Sequence, residues 1–213
     1  MSPARRNWTL FVLGWLGIVG NVVAVLLLRQ VPAAYRPGDL DAWARELGAH
    51  PLAGSASAVA FTLGLLSLGM WAVELRAQLP SRAARAGALL LAFGALFDAI
   101  GTVTPLVLVQ HVGGSGETAG QLARALLGVT LSLDAVFNFC LGAGLLAIGV
   151  AWGGGKRWLR ALAVVAGLAS LPVSAQIVSD SAANLLVVAG PLWLAFIAVT
   201  TLLKWESSAA EVR

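Results

Sequence analysis

Six apolar runs account for most of this chain, covering 8–28, 52–73, 87–109, 126–150, 158–178 and 183–203. A helix rising 1.5 Å per residue needs about 20 such residues to cross a hydrocarbon core of about 30 Å. In lipid no water completes the backbone hydrogen bonds, so each run has to be helical. Composition excludes a water-soluble domain: 59% of the 213 residues are hydrophobic and 11% are charged, against roughly 25% charged in an ordinary soluble domain. The sequence therefore predicts an all-α polytopic membrane helical bundle, one domain over 1–213, with six transmembrane helices and a short interfacial helix, about 39–48, after the first. Arg5 and Arg6 precede the first run and "VPAA" follows it, as in a secretory signal. Its apolar part exceeds the 7–15 residues of a signal, which predicts a retained helix.

Charge sets the expected orientation. With the N-terminus cytoplasmic, that side holds Arg5, Arg6, Arg76, Arg82, Arg85, Lys156, Arg157, Arg160, Lys204 and Arg213. The other side holds Arg29, Arg36, Arg45 and Arg124, diluted by Asp39, Asp41, Glu46, Glu117 and Asp180. Short connections follow the positive-inside bias, so both termini are expected in the cytoplasm. Trp8, Trp71, Trp152, Trp158 and Trp205 fall at the same ends, which reads as an interfacial indole belt. The net charge of +4 thus reports topology, and the lipid bilayer rather than nucleic acid is the expected partner. Between the first two runs, "DLDAWARELG" puts Leu40, Trp43, Ala44 and Leu47 on one helical face, with Asp39 placed to cap and Asp41 placed to pair with Arg45. That pattern predicts a helix lying on the outer membrane surface, ended by Gly48 and Pro51.

No phosphate loop, metal-ligand spacing or nucleophile motif occurs, so no cofactor or metal is expected. The single Cys140 permits no internal disulfide, and the GGG at 153–155 reads as a turn. Histidines 50 and 111 fall at the outer boundary with no second ligand type beside them. Glycines 14, 17 and 20, like 142 and 149, have the spacing of close helix contacts.

Two residues break the apolar pattern. A carboxylate at the centre of a membrane helix costs at least about 2.5–3.5 kcal/mol, yet Asp98 lies in "LLAFGALFDAIGTVTPLVLVQH" and Asp134 in "LSLDAVFNFCLGAGLL". Helical spacing aligns Gly94, Asp98, Thr102 and Pro105 on the third run, and Thr130, Asp134, Asn138 and Gly142 on the fourth. If the turn "VGGSGET" folds symmetrically about Gly116, equal helical rise sets Asp98 opposite Asp134 and Thr102 opposite Thr130. Asp98, Asp134, Asn138, Thr102 and Thr130 are thus the candidate proton or cation site. Pro105, Pro172, Pro191 and a set of polar residues cluster in the outer half. This predicts an outward-facing cavity with the pair at its floor, lined by Asn21, Gln176 and Asn184.

The C-terminal half, with "RWLRALAVVAGLASLPVSAQ" followed by "LLVVAGPLWLAF", resembles small multi-pass bacterial membrane proteins that are uncharacterised. The resemblance implies a bundle in the bacterial cytoplasmic (inner) membrane and transfers no activity. Arg in preference to Lys, with much Ala and Gly, agrees with a bacterial origin. Three functions remain open: a small transporter, channel or ion-binding protein with a small ion or small molecule as ligand; a structural or partner-binding subunit whose Asp pair holds helices together; and, favoured least, a membrane-embedded enzyme acting on a lipid-like substrate. Oligomeric state is not encoded in any pattern we can read.

Overall fold

The computed structural model describes residues 3–34, 36–112, 117–153 and 156–211. The turn about Gly116 and the glycines at 154 and 155 lie outside the described residues, as do the side chains of Pro105, His111 and Trp205. Among the described residues there is no strand. The helices are α1 (Pro3–Leu28), α2 (Leu40–Ala49), α3 (Pro51–Arg76), α4 (Arg82–Val112), α5 (Glu117–Ala151), α6 (Arg157–Ser170), α7 (Asp180–Asn184) and α8 (Leu186–Glu211). Among the described residues six segments are long and apolar enough to cross a membrane: Asn7–Leu28, Pro51–Arg76, Arg82–Val103, Gly120–Ala151, Arg157–Ile177 and Leu186–Lys204. This is the helix set of a multi-pass membrane protein.

The six close a ring, with α1 on α3, α3 on α4, α4 on α5, α5 on α6, α6 on α8 and α8 back on α1. Large side chains fill its middle. Trp71 meets Phe196 and Phe137 meets Trp193 edge to face, each pair with centroids 6.4 Å apart, and a void of only ≈ 10 Å³ remains among Leu68, Leu91, Leu141 and their neighbours. The outward faces carry exposed Val19, Leu63, Met70, Phe93, Phe139 and Val187, which lipid tails solvate at no cost.

Between helices that lipid does not squeeze together, close backbone approach supplies the attraction. A Cβ on Gly20 would stand 2.7 Å from the Ala60 carbonyl oxygen, and a Cβ on either Gly87 or Gly144 would stand 2.6 Å from the other's carbonyl oxygen. Gly14 lies against Thr201 and Trp71, while Gly142 and Gly149 meet α6 or the segment after it. We expect Gly87→Val to push α4 off α5 and lower stability by about 1–3 kcal/mol, as overfilling does. Gly128→Ala meets nothing within 4 Å and should gain up to about 1 kcal/mol of helix propensity. Thermal unfolding in detergent checks both, and equal shifts would refute the close contact.

Several expectations need correction. Trp71 is fully buried and donates from Nε1 to Thr201 Oγ1 at 3.1 Å, and Trp152 is buried too, so neither is an interfacial anchor; Trp8 and Trp158 are exposed. Helix α2 forms where expected, but Trp43 and Leu47 are fully buried against Val31, Ala58, Ala123, Leu127 and Leu131. Its apolar stripe is protein core because α5 is long: at 1.5 Å per residue its 35 residues span about 52 Å, more than the about 30 Å of a hydrocarbon core, and α2 packs on the end that carries Ala123 and Leu127. Asp39 stands at the N-cap position without a side-chain capping bond, and Asp41 pairs with Arg124 of α5 instead of Arg45. The fifth span is not one helix. After 14 residues α6 gives way to a seven-residue 3₁₀ segment, Leu171–Ile177, because Pro172 has no N–H to continue the α-helical bonding.

Candidate functional site

Asp98 and Thr102 come from α4, and Thr130, Asp134 and Asn138 from α5, each set one turn apart along its helix. Counting at 1.5 Å per residue, Asp98 lies about 24 Å along α4 from Arg82, and Asp134 about 25 Å back along α5 from Ala151. The two helices start and end at the same side of the bundle, so the carboxyls reach one depth. They face each other at hydrogen-bonding reach.

The other groups are distributed unequally between the two acids. Asn138 Nδ2 donates to Asp134 Oδ2 at 3.1 Å and to the Asp134 backbone oxygen at 2.9 Å. Gln176 Nε2 also donates to Asp134 Oδ2. Asp98 receives no such help: both its carboxyl oxygens are buried without a hydrogen-bond donor, and so is Asn138 Oδ1. The threonines serve the backbone. Thr102 Oγ1 donates to the Asp98 carbonyl at 2.8 Å, and Thr130 Oγ1 crosses to the Gly101 carbonyl at 2.9 Å, tying α5 to α4 beside the pair. No arginine, lysine or histidine among the described residues acts on either carboxyl.

Gln176 reaches this cluster because of the break in the fifth span. A 3₁₀ run of seven residues is long for that geometry, whose usual limit is 3–4, and a 3₁₀ stretch inside a helix often marks a hinge or a strained sequence. Ser170 Oγ and Ser174 Oγ donate to the carbonyls of Ala166 and Leu171, at 2.8 and 2.6 Å, absorbing some of the acceptors that the altered winding frees. Irregular backbone at membrane depth is tolerated where protein groups complete it, and here it presents an amide to a carboxylate.

The residues expected to line a cavity do not assemble as a set. Gln176 joins the pair. Asn21 is buried elsewhere, donating to the Gly17 carbonyl at 2.8 Å and touching Gly64 at the α1–α3 contact. Asn184 is exposed at the end of α7. Asp98, Thr102, Thr130, Asn138 and Gln176 are each 1% exposed or less and Asp134 is 5% exposed, so in this conformation the cluster is almost wholly buried. An apolar groove of ≈ 390 Å³ runs between α1, α3 and α4 past Leu13, Gly69, Met70 and Phe93, with Thr9 and Glu74 on its lining, and neither carboxyl borders it. Among the described residues no three His, Cys, Asp or Glu side chains gather as a metal site would require.

The sequence pointed to the pair but not to the role of Gln176, which is 42 residues from Asp134. The available signal was Pro172, a proline in the outer part of a span followed within about one turn by Ser174 and Gln176. Comparison with protein-family models, with curated proteins and with solved structures gives no match to this chain.

Proposed function

We propose that this is a small transporter-like protein of the bacterial cytoplasmic membrane in which Asp98 and Asp134 hold one proton, or a small cation in its place. One observation carries the reading: a fully buried carboxyl on α4 whose oxygens receive no donor, set against a second carboxyl that receives two. Two carboxyls can hydrogen-bond each other only if one is protonated. Because Gln176 and Asn138 both donate to Asp134, it is suited to be the standing carboxylate, and Asp98 to be the acid that donates to it and later releases its proton. Ionising both would place a second negative charge, on Asp98 with no donor to it, where a carboxylate costs about 2.5–3.5 kcal/mol or more. A reversible proton at such a place can drive a change of helix arrangement, which is the general requirement of coupled transport. The test is reconstitution in liposomes with proton and alkali-cation flux measured for wild type and Asp98→Asn. Flux that survives the substitution would dismiss the reading.

The near-complete burial of the cluster favours a second reading, in which the pair only fastens α4 to α5. The two part on one measurement, since a fastening pair binds and releases no proton within the pH range where the fold persists.

Orientation follows the same proposal: ten of the fourteen basic residues fall on the side of the termini, which places both termini in the cytoplasm and α2 at the outer boundary of the membrane. In intact cells Ser115→Cys is expected to react with a membrane-impermeant thiol reagent added outside, and Gly154→Cys is not. The reverse pattern would invert the topology.

A further inference from the structure

We propose that α2 is a lid over the carboxyl pair, and that the pair is reached from the α2 end only when α2 lifts. The inference deepens the proton-site reading in function, while its geometry stands without it. On α5, Ala123, Leu127, Thr130, Leu131, Asp134 and Asn138 recur at spacings of three and four, and so form one stripe. Its polar part lies under α4 and the 3₁₀ segment that carries Gln176. Its apolar part, Ala123, Leu127 and Leu131, is buried under Trp43 and Leu47 of α2. Leu131 and Thr130 are adjacent in sequence, so α2 sits one turn beyond the polar cluster on the same face.

The route toward the other end of the bundle is far thicker. Below Asp134 and Asn138 the same helix contributes Phe137, Leu141 and Leu145 to the central fill around Trp71 and Trp193. Opening there would displace several aromatic side chains from a nearly void-free core. Opening at α2 displaces one ten-residue helix, a length that is marginal alone in water. An exposed Asp41–Arg124 ion pair joins it to α5, and Glu46 Oε2 accepts from the Ala33 N–H at 2.7 Å. Its flanks suit a hinge: Pro32 and Gly38 stand in the turns before it, and at its C-terminal end only His50 separates it from Pro51, the first residue of α3.

The test places a cysteine under the lid, Leu127→Cys with Cys140→Ala, and follows its modification by a charged, water-soluble thiol reagent on purified protein in detergent. With α2 otherwise intact, modification is expected to be slow. Arg124→Ala should speed it by about two- to fivefold, the loosening an exposed ion pair provides, and joining Asp41→Arg to Arg124→Asp should restore the slow rate. Trp43→Ala should speed it roughly a hundredfold or more, since it removes the largest side chain of the seal. A second probe, Leu141→Cys in the central fill, should stay unreactive throughout. An unchanged Leu127→Cys rate in Trp43→Ala, or an equal rise at both probes, overturns the lid. Proton uptake separates the two proposals. Asp98-dependent uptake that ignores every α2 variant overturns the lid and leaves the proton site standing, whereas faster labelling with no uptake at all supports the lid and removes the proton site.

Discussion

Asp134→Leu is expected to be the most damaging single change at the polar cluster, whereas Asp98→Asn should leave the bundle folded and silence it. The two acids look alike in the sequence, but they differ in what they receive. Asp134 accepts from both Gln176 and Asn138. Leucine in its place leaves Gln176 Nε2 with no acceptor, weakens the hold on Asn138 and deprives Asp98 of its counterpart. At roughly 1–3 kcal/mol for each buried polar group left without a partner, the loss should be about 2–6 kcal/mol. Asp98 accepts nothing, so an amide at that position can donate to Asp134 as the protonated acid does, and stability should stay within about 1 kcal/mol of wild type. Asn cannot release that proton, and any proton uptake by the pair should vanish with it. Unfolding in detergent reads the first effect, and proton uptake across a pH jump reads the second. If the two variants destabilise equally, the asymmetry drawn from the hydrogen bonds is wrong. If Asp98→Asn still takes up protons, another group carries them.

Trp43→Asp is the second large effect. A tryptophan on a membrane surface could be replaced at little cost to the fold. Trp43, however, is fully buried, and truncating a buried aromatic costs about 3–5 kcal/mol before any charge is introduced; a carboxylate set against Leu127 and Leu131 adds to that. The loss should be confined to one end, because α2 touches the bundle only there. Amide exchange should show residues 40–49 released to nearly free-chain rates while α3 and α5 keep their protection at membrane depth. Unchanged protection in α2 would return Trp43 to the role of a surface anchor.

Local period and solvent settle part of this architecture before any helix has a neighbour. Runs of about 20 apolar residues can only be helices in lipid, so the helix count and most span limits follow from hydropathy. The α4–α5 register was legible for a related reason: constant rise on either side of a short turn sets residues equally far from it at equal depth, and the two aspartates were the conspicuous pair so placed. Glycine spacing announced close contacts on α1, because a missing side chain has the same consequence whichever helix approaches.

Whatever depends on which helix is the neighbour is settled by packing alone. The amphipathic stripe of α2 is the same whether lipid or protein covers it, and only its packing on Ala123, Leu127 and Leu131 of α5 made it core. Trp71 and Trp8 both fall near span ends, yet ring closure turned Trp71 inward to Thr201 and Phe196 and left Trp8 exposed. Pro172 signalled a break in the fifth span, but where the rewound segment points is fixed by α5 and α6 together. That placement put Gln176 on Asp134, and with it made two similar aspartates unequal.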